Sequence, residues 1–183
     1  MPAEPLLSPL LLRDAPGALV DGPLSRKGAP VALSYTLNHH VNAPPKAVFE
    51  AMLDIEDFGA WMENFVRVER LDEGEMGPGS SWREVRKIMG REGAEVFEIR
   101  ALEPDRRLEL YVDGTKGSTG RGEYHYVYEL EEREGGTAVK LHGEMEMGAL
   151  FNLFGRLMLP MFKKMVNKDL EALARHVEGR GQA

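Results

Sequence analysis

Tyr124, Tyr126 and Tyr128 stand at every second position of one short segment. In an extended strand that spacing puts three phenols on one side. A phenol set in an apolar wall brings one hydroxyl that can orient a carbonyl or hold a proton. Leu130 continues the row, while Glu123, His125 and Glu129 occupy the other face. The ladder is therefore expected to face inward; an outer aromatic face stays open as the alternative. Arg83, a ligand or water would then partner the hydroxyls. His39 shares the apolar side of another alternating run with Leu33, Tyr35, Leu37 and Val41. It is a second candidate polar group for a pocket, although a lone histidine there is more often a hydrogen-bonded core residue.

Other chemistry is argued down by spacing. His39 and His40 are adjacent, so on a strand they point to opposite faces and do not chelate one ion easily. No HxxxH spacing occurs, and no metal site is expected. Glu144 and Glu146 share a face, but they alternate with Met145 and Met147 and are expected to meet water. The run Gly114-Thr115-Lys116-Gly117-Ser118-Thr119-Gly120 has the composition of a phosphate loop. A strand follows it where a phosphate loop needs a helix N-terminus, so it reads as a flexible hairpin loop that could act as a lid. No dinucleotide fingerprint, nucleophile elbow or Walker motif is present.

Composition narrows the class further. The chain has 183 residues, enough for one domain with a real core. Its formal net charge of −7 argues against a nucleic-acid partner. It has no cysteine, which excludes disulfides and thiolate chemistry and fits a reducing cytoplasm. No apolar stretch approaches the roughly 20 residues of a membrane span. Leu6, Leu7, Leu10, Leu11 and Leu12 form a greasy patch without a basic region before it. Pro9 interrupts it, so a signal peptide is not expected. Prolines pace residues 1–31, which read as an extended arm. Its leucines are either a loose tail or a cover for apolar surface on this domain or on a second copy.

The elements that must position these residues follow from periodicity. Residues 32–41 alternate as a strand. Pro44-Pro45 starts a short helix carrying Val48, Phe49, Met52 and Leu53. A second short helix follows Asp54, with Phe58, Trp61, Met62 and Phe65 as its apolar positions. About six strands come next: 66–71, 80–89, 94–102, 107–112, a strand bearing the tyrosines, and one bearing Val139, Leu141, Gly143, Met145 and Met147. Residues 90–93 are expected to turn the chain between two of them. Such tight connections make neighbours antiparallel. From about 148 to 178 the period is helical, with Leu150, Leu153, Phe154, Leu157, Met158, Met161, Phe162, Met165, Val166, Leu170, Leu173 and Val177 on one face. One curved antiparallel sheet packed on a long terminal helix is an α+β domain.

Four stretches carry a resemblance to a known family. They are Val41-Asn42-Ala43-Pro44-Pro45-Lys46-Ala47-Val48-Phe49, Asp54-Ile55-Glu56-Asp57-Phe58-Gly59-Ala60-Trp61, Gly77-Pro78-Gly79-Ser80-Ser81-Trp82-Arg83, and Gly135-Gly136-Thr137-Ala138-Val139. With the element order, they resemble the START-like superfamily, also called Bet v 1-like or SRPBCC, and within it the polyketide cyclase/dehydrase-like proteins. The resemblance spans about residues 32–178, leaving the arm and a tail at 179–183 outside. It implies a helix-grip fold: a curved antiparallel sheet wrapped around the long C-terminal helix, with two short helices after the first strand. It also implies a cavity between sheet and helix that holds a lipid, quinone or polyketide-like molecule.

The lining expected for that cavity is Phe97, Ile99, Tyr124, Tyr126, Tyr128, Met145, Leu150, Phe154, Met158 and Met161. Methionine suits a wall that must adapt to an apolar guest. The helix half before Pro160 is expected to face the ligand and the later half to hold the fold. Trp61 and Trp82 are expected to be structural first and pocket walls second. Binding of a small hydrophobic molecule is the leading expectation, with no cofactor, no nucleic acid and no membrane span. If the resemblance extends to cyclase or dehydratase chemistry, Arg83, Tyr126, Tyr128 and His39 are its candidate catalytic residues. A regulatory module with a vestigial cavity is the third reading, and a homodimer is left open.

Overall fold

The computed structural model describes residues 33–88, 90–146 and 149–181, with the side chains of 149–154 outside that description. The first strand is β1, Leu33–Val41, followed by helix α1, Pro45–Leu53. Pro45 occupies the first turn of α1, where its missing N–H costs nothing. The expected second short helix is a 3-10 turn, Ile55–Asp57, running into a single-turn helix α2, Phe58–Trp61. Six strands follow: β2 Phe65–Arg70, β3 Ser81–Ile88, β4 Arg91–Glu103, β5 Arg107–Asp113, β6 Glu123–Arg133 and β7 Gly136–Glu146. Helix α3, Ala149–Arg180, ends the chain's described structure and runs through Pro160.

The seven strands form one antiparallel sheet in the order β1-β7-β6-β5-β4-β3-β2. Every neighbouring pair except β1 and β7 is consecutive in sequence, as tight turns require. The turn expected at 90–93 is shorter than its glycines suggest. Ile88 pairs with Arg91, so β4 begins at Arg91 and the connection is two residues long. Gly90 takes φ +80°, the left-handed conformation such a connection needs.

Alternation decides which side chains face α3. On β1, β7 and β6 the register aligns Tyr35 with Gly143 and Gly143 with Tyr126. The Tyr35 ring lies across Gly143, where a Cβ would collide with Tyr35 Cζ and stand 2.6 Å from Cε1. Phe162 of α3 meets the same ring edge-on, with centroids 5.9 Å apart. Leu33 likewise packs against the Gly155 backbone of α3, 2.5 Å from where a Cβ would sit. Glycine on each element thus lets the helix and the β1 side of the sheet approach closely.

The C-terminal end of α3 is tied at several points. Glu178 accepts from the Asn42 backbone N–H and side-chain amide at 2.7 and 2.8 Å. Arg180 pairs with Asp57 at 2.7 Å, and Lys168 with Glu63 at 3.2 Å. Between these ties, Leu170, Leu173 and Val177 join Val41, Val48, Phe49, Ile99, Leu108 and Leu141 in the main core.

Gly143→Ala is expected to cost about 1–3 kcal/mol in urea unfolding, the range for overpacking. In a Tyr35→Ala background the same change should cost much less. Equal losses in both backgrounds would show that the Tyr35 ring is not the obstacle.

Candidate functional site

Toward β3, β4 and β5 the sheet and α3 separate, leaving a cavity of ≈ 450 Å³. Its floor is the concave face: Trp82, Glu84 and Arg86 of β3, Phe97 of β4, Leu108, Leu110 and Val112 of β5, and Tyr124, Tyr126 and Tyr128 of β6. Its roof is α3, which presents Phe162, Met165, Val166, Asp169, Leu170 and Leu173. Those positions follow i, i+3, i+4, i+7, i+8, i+11, one helical stripe. Met52, Phe58, Trp61 and Met62 close the end near α1 and α2.

Aromatic rings run across the floor in sequence. Phe58 meets Trp61 at 5.4 Å and Trp82 at 6.4 Å, both edge-on. Trp82 stacks on Phe97 at 5.6 Å with planes 6° apart, and Phe97 stacks on Tyr126 at 6.5 Å. Trp61 and Trp82 are thus pocket walls as well as packing residues.

One charged group is enclosed in this setting. Arg86 donates from Nε to Glu84 Oε1 at 2.5 Å and from Nη1 to Asp169 Oδ2 at 2.8 Å. The Arg86, Glu84 and Asp169 side chains are 16%, 7% and 19% exposed. The cluster therefore links β3 to α3 across the cavity. Burial pushes the Glu84 and Asp169 carboxyls above their usual range, against the opposing pull of Arg86. Burial alone would lower the Arg86 guanidinium, but the two carboxylates outweigh it and raise it. Burial, helped by neighbouring phenols and carboxylates, raises Tyr35, Tyr126 and Tyr128, so all three keep their protons.

The mouth lies at the β3–β4 hairpin, where Ile88, Arg91, Glu92, Gly93, Glu95, Ser118 and Thr119 reach the lining. The glycine-rich loop is fastened here rather than free. Ser118 N donates to Ala94 O at 2.6 Å, and Ala94 N donates to Ser118 Oγ at 2.7 Å. Glu95 Oε1 accepts from the Thr119 backbone and hydroxyl at 2.9 and 2.5 Å.

The structure sorts the candidate residues. Phe97, Tyr124, Tyr126 and Tyr128 line the cavity. Ile99 does not; it is fully buried in the main core, one inward position beyond Phe97. Met145 packs instead with Leu33, Val112 and Tyr124, a small cluster closed by Leu159 and Phe162. On α3, Met161 is one residue off the lining stripe and is 52% exposed. Met158 is half-buried and lies one turn before Phe162, outside the lining. The side chains of Leu150 and Phe154 lie outside the described residues, as does the arm at 1–31. Among the described side chains of α3, those that face the cavity come after Pro160, while Gly155 before it is packed against Leu33 of β1.

Arg83 falls on the convex face: β3 alternates, and Trp82, Glu84 and Arg86 are the inward set. His39 shares the concave face of β1 but lies outside the lining. Of the four candidate catalytic residues only Tyr126 and Tyr128 come together. Glu84, Arg86 and Asp169 were missed. The signal for the first two was present, since Trp82-x-Glu84-x-Arg86 is a period-two run; the signal for Asp169 was its place between Met165, Val166 and Leu173 on the apolar stripe.

A helix-grip sheet with an aromatic-walled cavity beneath its long helix defines a class, and the sequence agrees. A family model described as "Polyketide cyclase / dehydrase and lipid transport" matches residues 32–178, and the chain belongs to that family. No curated protein matches the chain. Among solved structures, the Zhui aromatase/cyclase from Streptomyces sp. R1128 is similar at TM-score 0.70 and 18% identity, covering 84% of this chain and 98% of that one. Ara h 8.0201 is similar at TM-score 0.61 and 15% identity, covering 80% and 98%. The protein TTHA0849 from Thermus thermophilus is similar at TM-score 0.60 and 19% identity, covering 81% and 96%. These likenesses establish the Bet v 1-like fold. Among the described residues no helix is long and apolar enough to cross a membrane.

The raised Glu84 and Asp169 carboxyls give a signed pH prediction. A carboxyl whose folded pKa exceeds its unfolded value adds stability below the unfolded pKa, and this is lost as pH rises through the folded pKa. Wild type should therefore gain melting temperature relative to Glu84→Gln as pH falls from 7 through the region just above the ordinary carboxylate range. A difference that stays flat, or shrinks on acidification, would show that burial does not hold the carboxyl up.

Proposed function

We propose that this protein binds a small hydrophobic molecule, of lipid, quinone or polyketide-like character, between the sheet and α3. The cavity carries the reading: ≈ 450 Å³ falls inside the roughly 300–1,000 Å³ range of ligand pockets. Its walls are mainly apolar and aromatic, with a few converging polar groups, the pattern that gives affinity by burial and orientation by hydrogen bonds. A core that needed only stability would have filled this space, because interiors pack to crystal-like density. The volume also fits poorly with a module whose cavity is vestigial. The lack of cysteine supports a cytoplasmic setting.

A second reading has one specific observation in its favour. Tyr126, Tyr128 and Arg86 converge on the same space, so a poly-β-ketone held there would meet hydrogen-bond donors that orient its carbonyls and stabilise developing enolate charge. Arg86 takes the place that Arg83 was expected to fill. Cyclisation would need no cofactor, only positioned donors and a chain folded by the cavity walls.

The uncharged fluorophore N-phenyl-1-naphthylamine is a direct probe of the first reading. It should bind wild type with a blue-shifted emission. Met165→Trp, which puts an indole into the cavity, should weaken that binding at least about tenfold while the protein stays folded. Unchanged affinity in the folded variant would place the probe elsewhere and remove the cavity reading. Native mass spectrometry of freshly purified protein should also show a lipophilic adduct that Met165→Trp lacks. For the second reading, Arg86→Gln should change the product distribution from a reconstituted poly-β-ketone chain; identical products with and without the protein would dismiss it.

A further inference from the structure

The charges around the cavity are out of balance. Among the described residues its lining carries four carboxylates, Glu84, Glu92, Glu95 and Asp169, against two arginines, Arg86 and Arg91. Glu92 is met by Arg67 at 3.2 Å outside the cavity, and Glu95 by Thr119. Arg91 is exposed at the mouth. Thr119 is neutral and does not offset the Glu95 carboxylate, whose Oε2 is buried without a hydrogen-bond partner; deeper in the cavity Arg86 sits between Glu84 and Asp169.

A buried arginine with open donors is a site for carboxylate, sulfonate or phosphate. Here the guanidinium is already engaged from two sides, through Nε by Glu84 and through Nη1 by Asp169. With both carboxyls ionised the trio sums to −1; with one proton between them it sums to 0. In neither state does it hold spare positive charge. An entering anion would have to displace a carboxylate from Arg86 or sit beside one, in a space where charges are weakly screened. The neighbouring groups are phenols that keep their protons and apolar rings. This sum is that of the described residues; residues 147–154, whose side chains lie outside that set, carry no charge.

We propose that the cavity selects against anionic ligands, and that Glu84 and Asp169 are the residues that impose this. The preferred class is an uncharged apolar molecule bearing a hydrogen-bonding oxygen or nitrogen, such as a ketone, quinone, phenol or sterol-like alcohol. Fatty acids and other ionised amphiphiles are excluded. The proposal rests on the cavity being the ligand site and adds the charge of what enters it. Selection of this kind needs an unfavourable element aimed at the wrong ligand, and a doubly countered arginine is one.

Two dyes that share a ring system separate the questions. N-phenyl-1-naphthylamine is uncharged at neutral pH, and 1-anilinonaphthalene-8-sulfonate adds one sulfonate. Binding to the Met165→Trp variant measures the surface contribution of each and is subtracted. Wild type should then bind the uncharged dye at least about tenfold tighter than the sulfonate, from one uncompensated charge at short range. Glu84→Gln and Asp169→Asn, each checked for a native near-ultraviolet circular dichroism spectrum, should narrow the ratio by about tenfold. The change should come through a rise in the sulfonate's own affinity; a ratio as wide as that of wild type in both folded variants would show that Glu84 and Asp169 do not impose the selection. If the uncharged dye shows no cavity-dependent binding, the ligand-site reading itself falls. If it binds in the cavity and the sulfonate binds equally well, charge selection is overturned and the cavity stands. Should either variant fail to fold, the wild-type ratio and the other variant decide.

Discussion

A single helix cannot cover a seven-stranded sheet. Strands lie about 4.8 Å apart, so seven span roughly 30 Å, whereas a helix with its side chains is about 10–12 Å across. The sheet must curve, other elements must help, or part of the concave face stays open. All three occur here. α3 lies close on the β1 side, where Gly143 and Gly155 admit Tyr35 and Leu33 into tight contact. α1, α2 and the later turns of α3 fill one end with Val48, Phe49, Leu170 and Leu173. What remains uncovered, opposite β3 to β6, is the cavity.

That geometry also explains why a charged cluster is tolerated inside. Where sheet and helix stand apart, neither can satisfy a polar side chain by itself. Arg86 reaches its carboxylates from both sides of the gap, Glu84 on its own strand and Asp169 on the roof. Buried ion pairs rarely add stability over apolar packing. Their presence in a wall otherwise made of Trp82, Phe97, Leu110 and Met165 fits a role in defining what the space accepts. Stability is supplied elsewhere, by the fully buried Ile99, Leu141 and Val139 of the sheet.

The elements were legible because each obeys a short-range period. The strands show alternation of two, α3 shows a helical stripe, and Pro44-Pro45 marks a helix start, so the order of elements along the chain and the fold class could be read directly. The errors came where one residue of phase or a few ångströms of tertiary position decide. Choosing Arg83 over Arg86 reverses the face, because an odd number of positions on a strand separates the two. Met161 and Phe162 are adjacent on α3, yet one is exposed and the other lines the cavity. The glycine-rich loop was composed like a free lid, but Glu95 and Ala94 hold it to β4.

From the chain alone came the α+β architecture, the family likeness, the inward tyrosine ladder and the absence of metal, nucleotide and thiol motifs. These rest on neighbours in sequence, whose relative orientation is set by backbone geometry. The tertiary structure decided that Phe162, Met165 and Asp169 of α3 roof the cavity, which arginine enters it, and that Glu84 and Asp169 meet that arginine. Glu84 and Asp169 lie on elements far apart in the chain, and no local period joins them. Only the closing of a terminal helix over a curved sheet brings their carboxylates to one guanidinium.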